Sequence, residues 1–183
     1  MKLETLKKDC FYHIYNRGNN GDDIFKHDEN YQYFLQLLDK YLITGISVFA
    51  YCLLKNHYHL LIRIEEEHVT QRLSNLFNAY AKAFNKATAR TGSLFEKHFK
   101  RIKLHDEAYL RNLIIYIHAN PQHHRIIDDF RNYNFSSYQI ILSTSKTTVK
   151  RKEVIELFKD VENFEDAHMQ KNQYLTQKYN LEE

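Results

Sequence analysis

Lys55-Asn56-His57-Tyr58-His59-Leu60-Leu61-Ile62-Arg63-Ile64 places two histidines one residue apart at the head of an apolar run. Successive side chains of an extended strand point to opposite faces. His57 and His59 therefore share one face, and Tyr58, Leu60, Ile62 and Ile64 share the other. The stretch reads as a half-buried strand with two imidazoles on its second side. Neutral imidazole is a common protein metal ligand, so the pair offers a metal two nitrogens. The plainer reading, two surface histidines among the 11 of this chain, stands beside it until a third ligand and a reacting group are found.

Working outward, Ile46 to Leu54 is apolar apart from Ser47, and Lys55-Asn56 makes a tight turn, so Ile46 to Ile64 is expected to form an antiparallel hairpin. Upstream, Cys10 to Asn16 is rich in aromatic and β-branched residues and reads as a first strand, broken by Arg17-Gly18-Asn19-Asn20-Gly21. Asp28 is a candidate N-cap for a helix with Tyr31, Phe34, Leu35, Leu38 and Leu42 on one stripe and Gly45 at its end. Downstream, Val69, Leu73, Leu76, Phe77, Tyr80, Ala81 and Phe84 predict a helix over 69–90. Ser93 to Leu104 reads as a strand or irregular ribbon in which Phe95 and Phe99 alternate with basic residues, a pattern that suits stacking of unpaired bases as well as an ordinary edge strand. Asp106 caps a further helix with Leu110, Leu113, Ile114 and Ile117 on its core stripe, and Pro121 is expected to end it near Asn120. Residues 122–134 read as loop, and Val154, Ile155, Phe158 and Val161 recur at helical spacing.

A chain of 183 residues with 43% hydrophobic residues, 4 Gly and 1 Pro is globular and long enough to bury its own core without a staple. No apolar stretch approaches the roughly 20 residues needed to span a bilayer, and Met1-Lys2-Leu3-Glu4 has no apolar leader character. The expectation is a cytoplasmic protein with no membrane partner, its Cys10 and Cys52 in the thiol form. Net charge is only +3, but seven basic residues (Lys82, Lys86, Arg90, Lys97, Lys100, Arg101 and Lys103) face one acid, Glu96, between positions 82 and 103. That block is the electrostatic footprint of a polyanion binder.

Tyr116 and Asn120 lie four residues apart on the same helix and converge on one point. A tyrosine hydroxyl is a poor nucleophile at neutral pH. It becomes adequate toward a phosphodiester when a metal polarises the phosphate and aligns it for in-line attack. Two histidines and a side-chain oxygen would hold such an ion with positions left open. Tyr116 is also one of 14 tyrosines, most of which serve packing.

The order of these pieces resembles the single-tyrosine HUH transposases, and within them the REP-associated tyrosine transposases. The resemblance runs through Tyr12-His13-Ile14-Tyr15-Asn16-Arg17-Gly18-Asn19-Asn20, Lys55-Asn56-His57-Tyr58-His59-Leu60-Leu61, Gly92-Ser93-Leu94-Phe95-Glu96-Lys97-His98-Phe99-Lys100, Tyr116-Ile117-His118-Ala119-Asn120-Pro121 and Phe135-Ser136-Ser137-Tyr138. It covers about residues 10–140. The chain departs from the family pattern at Gln122-His123-His124-Arg125 and at His98. The resemblance implies that His57, His59 and Asn120 hold Mg²⁺ or Mn²⁺, although two imidazoles alone would equally suit Zn²⁺. It implies that Tyr116 cleaves single-stranded DNA beside a hairpin through a 5′-phosphotyrosine and rejoins it, and that Arg17 and the basic block contact the DNA. The implied fold is α+β, a ferredoxin-like antiparallel sheet with helices packed on one face and the Tyr116 helix above the histidines. Residues 1–140 would form this domain and 141–183 a C-terminal helical extension. A homodimer, with Tyr116 acting within or across subunits, is compatible with it. The rivals are a hairpin-DNA-binding regulator on the same fold that no longer cuts, and a metal-independent RNA-binding protein.

Overall fold

A computed structural model describes residues 5–42 and 44–181, with side chains as far as residue 172. Four strands, β1 (Phe11–Arg17), β2 (Ile46–Leu54), β3 (His57–Ile64) and β4 (Lys100–Lys103), form one antiparallel sheet in the order β2-β3-β1-β4. Helix α1 (Asp28–Leu42) links β1 to β2, and α2 (Thr70–Ala87) links β3 to β4. This is the ferredoxin-like order expected from the sequence. Helices α3 (Glu107–His123), α4 (Tyr138–Leu142), α5 (Arg151–Leu157) and α6 (Val161–Leu181) follow. Among the described residues no helix is long and apolar enough to cross a membrane.

The face carrying Tyr12, Ile14, Tyr58, Leu60 and Ile62 is covered by α1 and α2. Tyr58 is fully buried, with its ring 5.3 Å from that of Phe34 and 5.1 Å from that of Phe77. The expectation of helices on one face is met by α1 and α2, and α3 adds a layer on the other, packed on β2 and β3. Every residue of β2 is buried in consequence, which accounts for its continuous apolar run, since a strand covered on both faces has no reason to alternate. A register shift between Val48 and Ala50 lets Phe49 bulge out of the ladder.

The two-residue turn Lys55-Asn56 is clamped from outside the hairpin. The Lys55 carbonyl accepts from Ile24 N at 2.7 Å and Phe25 N at 2.9 Å, and the Asn56 carbonyl accepts from Gly18 N at 2.7 Å. A Cβ at Gly18 would stand 1.9 Å from the Asp22 carbonyl oxygen, so only glycine lets the loop after β1 fold this closely onto the turn.

Two expectations change. Of the strand or irregular ribbon read over 93–104, only β4 is strand, and residues 93–99 form an irregular ribbon that wraps around the end of β1, with Asn19 N donating to Leu94 O and Glu96 N to Arg17 O. Phe95 and Phe99 are buried under Phe77 at 6.1 and 5.2 Å between ring centres; they are core residues and not a stacking platform for bases. Helix α3 also passes through Pro121 and ends at His123. Proline cannot donate, but its carbonyl accepts from Ile126 N and that of Asn120 from His124 N, both at 2.9 Å, so the loss of one donor near the end is tolerated.

A buried polar chain fixes α3 between β2 and α6. The Phe164 carbonyl can only accept, so His168 donates through Nδ1 at 2.7 Å and presents a bare Nε2. His118 then donates from Nδ1 to that nitrogen at 2.9 Å, and its own Nε2 accepts from Ser137 Oγ at 2.7 Å. Ser137 Oγ accepts in turn from Tyr51 N on β2 at 2.9 Å. His118 and His168 are wholly buried, and burial holds both imidazoles below their ordinary pKa, His168 at about 4. The directions of the three bonds that involve an imidazole follow from the one carbonyl, and the backbone N–H of Tyr51 can only donate.

Candidate active site

The register of β1 on β3 sets Arg17 opposite His57 and Tyr15 opposite His59, and β4 adds Lys100 opposite Tyr15. Helix α3 brings Tyr116 over this end of the sheet, its ring edge-on to that of His59 at 5.8 Å. Between them lies a cleft of about 530 Å³ lined by these six side chains together with Asn16, Asn56, Glu96 and His124.

Each imidazole is held by a neighbour. His57 Nδ1 lies 2.6 Å from Asn56 Oδ1; an amide oxygen only accepts, so Nδ1 carries the proton and Nε2 the lone pair. Burial pulls the His57 pKa down to about 4, with the positive charges of His124 and Arg17 adding to the shift. His59 is driven well below the usual histidine value by burial, then by His13, His57 and His124. Both rings are therefore neutral at physiological pH, the form that binds a metal. His59 Nδ1 meets His13 Nε2 at 2.9 Å. Glu96 pairs with Arg17 at the rim, and the ring of His124 stands edge-on to His57 at 4.9 Å.

His57, His59 and Tyr116 thus line one cleft, and Asn120 is not among its lining residues. Its side chain is 1% exposed and donates to the Tyr116 carbonyl at 2.7 Å, one turn back on the helix. Among the described residues no three His, Cys, Asp or Glu side chains are grouped to hold a metal ion. The two neutral imidazoles fit a divalent ion with nitrogen affinity as a pair. Further ligands would come from the Asn120 side-chain oxygen, or from substrate and solvent oxygens.

Strand alternation sends Lys100 and Arg101, neighbours on β4, to opposite faces of the sheet. Lys100 and Arg17 belong to the cleft. Lys82, Lys97 and Arg101 line an adjoining groove of about 770 Å³ beside α2, which shares Asn16 and Glu96 with the cleft and in which the Arg101 guanidinium lies over Phe99 at 4.4 Å. Lys86 and Lys103 line neither. Arg90 is engaged within the fold, with Asp22 at 3.0 Å and the Ser93 carbonyl at 2.8 Å.

Sequence reasoning passed over His13, Tyr15, Asn56, Glu96 and His124 as members of the site. The alternation His13, Tyr15, Arg17 along β1 was readable as one face, but which residues that face meets depends on strand register. His124 stood out only as a departure from a family pattern.

With this geometry in view, the chain can be set beside known proteins. No family model and no curated protein sequence matches it. Among solved structures, that of the REP-associated tyrosine transposase bound to a REP hairpin superposes with a TM-score of 0.63 at 16% identity, covering 79% of this chain and 85% of the other. The two share a fold. A candidate transposase from Deinococcus radiodurans R1 aligns over 62% of this chain and 93% of its own, at 14% identity and a TM-score of 0.43, too distant to support an inference. At such identities the transposase likeness speaks for the architecture, an α+β domain with a four-stranded antiparallel sheet, and the chemistry rests on the cleft.

Proposed function

We propose that this chain is a metal-dependent single-stranded DNA transesterase of the single-tyrosine HUH type, which nicks and rejoins DNA near a hairpin. The observation that carries the reading is the placement of Tyr116 edge-on to His59 above a cleft holding two neutral imidazoles. His57 and His59 would bind Mg²⁺ or Mn²⁺, which supplies polarisation of the scissile phosphate. Lys100 and Arg17 are placed to attract the phosphate backbone into the cleft, with Glu96 restraining the Arg17 side chain. The Tyr116 hydroxyl oxygen attacks phosphorus, the bond from phosphorus to the 3′ oxygen breaks, and the phenolic proton ends on the departing 3′ hydroxyl. The 5′ phosphate remains on Tyr116. Attack by a second strand's 3′ hydroxyl reverses the step, so the phosphodiester energy is conserved and no nucleotide is consumed. The partner is single-stranded DNA with hairpin structure, a class suggested by the hairpin bound to the transposase of like fold.

The test is incubation of a labelled hairpin oligonucleotide with the full chain and Mn²⁺ or Mg²⁺, followed by denaturing electrophoresis. A covalent adduct is expected, absent in Tyr116→Phe and strongly reduced in His57→Ala. An adduct that survives in Tyr116→Phe overturns the assignment.

One observation favours a second reading, a hairpin-DNA-binding regulator that does not cut: the Asn120 amide nitrogen is bonded to the Tyr116 carbonyl within its own helix, and Asn120 is not among the residues that line the cleft. Tight hairpin binding without cleavage under Mg²⁺, Mn²⁺ or Zn²⁺ would select it.

A further inference from the structure

Strand β1 contributes a third histidine to the face that carries His57 and His59. His13 sits opposite Leu61 in the register and reaches diagonally across to His59, Nε2 to Nδ1, at 2.9 Å. It is 6% exposed; its ring stacks on Tyr15 at 4.7 Å, and it lies edge to edge with His59, ring centres 5.1 Å apart, as their nitrogen contact requires. Packing of this kind fixes a ring's orientation, and the nitrogen contact fixes where its neighbour carries a proton.

Two ring nitrogens at hydrogen-bond distance share one proton. If His13 Nε2 carries it, His59 accepts at Nδ1, and its own proton sits on Nε2, the nitrogen left for the cleft. If His59 Nδ1 carries it, His59 offers the cleft a lone pair. Across the site the same choice is already made for His57, whose Nδ1 proton is taken by Asn56 Oδ1. Two side chains that serve one ion must both present lone pairs.

We infer that His13 is a positioning residue for His59: its bare Nε2 accepts the His59 Nδ1 proton and holds His59 in the tautomer whose Nε2 lone pair serves the cleft. The inference rests on the reading of the cleft as a metal site. A ligating histidine is commonly held by a carboxylate or a backbone carbonyl. A buried carboxylate here would set a negative charge beneath the position a DNA phosphate has to take between Arg17 and Lys100. An imidazole acceptor orients the ligand without that charge.

The experiment uses the full chain labelled with ¹⁵N-histidine, with long-range ¹H–¹⁵N correlation in the metal-free protein and Mn²⁺ binding followed by calorimetry. His59 is expected to carry its proton on Nδ1. His13→Leu should release His59 to the Nε2–H tautomer and weaken Mn²⁺ binding about 10- to 100-fold. His13→Gln places an amide oxygen near the lost Nε2 and should bring Mn²⁺ affinity back toward that of the unaltered chain; circular dichroism checks that both variants fold. An unaltered chain with its His59 proton on Nε2 overturns the inference, as does His13→Leu binding Mn²⁺ undiminished. The two ideas fail separately: a His59 proton found on Nδ1 in a chain that binds no Mn²⁺ removes the metal-dependent function and leaves the direction of the bond to His13 standing.

Discussion

The Asn120 side-chain amide donates to the backbone carbonyl of Tyr116 at 2.7 Å, which ties together the two α3 residues that matter most to the proposed chemistry. The bond holds the Asn120 amide nitrogen on the helix, leaves its oxygen as the ligand atom, and reinforces the turn that carries the nucleophile. Loss of this buried bond in Asn120→Ala is expected to cost about 1 kcal/mol, or roughly 2–4 °C in Tm for a chain of this length. Mn²⁺ affinity should fall severalfold in the same variant. A stability loss with unchanged Mn²⁺ affinity would assign Asn120 to the helix alone.

Tyr58 separates the paired histidines and points the other way. It is fully buried among aromatic rings, and its hydroxyl has no hydrogen-bond partner among the described residues. A buried, unpaired hydroxyl is destabilising, so removing it relieves a desolvation cost. Tyr58→Phe should raise stability by about 1 kcal/mol in urea denaturation and leave the hairpin-cleavage rate unchanged. A marked loss of stability would mean that the hydroxyl is satisfied.

The division of basic residues between the cleft and the groove beside α2 predicts distinct phenotypes. Lys100→Ala, in the cleft, should slow adduct formation at saturating DNA and lower the salt dependence of binding by about one ion. Lys82→Ala, in the groove beside α2, should weaken hairpin binding with little change in the saturated rate. Arg90→Ala should reduce stability while leaving the salt dependence unaltered, because that guanidinium is bonded to Asp22 and to the Ser93 carbonyl. Fluorescence anisotropy across a salt series, beside single-turnover cleavage, separates the three.

Acid should loosen the clasp between α3 and α6. Burial lowers the His168 pKa to about 4, partly offset by the Phe164 carbonyl, whereas an unfolded histidine titrates near 6.5. Below about pH 6.5 the unfolded chain takes up a proton that the folded chain refuses. The contribution to stability is therefore complete above that pH and is lost as pH falls toward 4, on the order of 3 kcal/mol in the limit. His13, also lowered to about 4 by burial, acts in the same direction. Urea midpoints should decline steadily from about pH 7 to about pH 5, and a flat profile would contradict the buried neutral network.

Local pattern made much of the scaffold readable. The alternation in β3, the apolar stripe of α2 and the Asp106 cap, whose side chain accepts from Tyr109 N at 2.7 Å, each follow from forces acting within a few residues. The strand–helix–hairpin–helix–strand order leads from there to the sheet. Phe95 and Phe99 defeated the same reasoning, because an aromatic among lysines looks alike whether it meets a base or a core. Only the position of α2 decides.

Local pattern alone set His57 and His59 on one face, Tyr116 and Asn120 one turn apart on a helix, and a basic block that begins on the last turns of α2, because side-chain periodicity is a local property of strand and helix. Packing set Tyr116 over His59, joined His13 and His124 to the histidine pair, put Lys100 in the cleft and Lys82 in the groove beside α2, and left the Asn120 amide bonded to the Tyr116 carbonyl. Those relations depend on the register of β1 against β3 and on where α3 lands on the sheet. Both are set by burial summed over residues far apart in the chain, which no short stretch records.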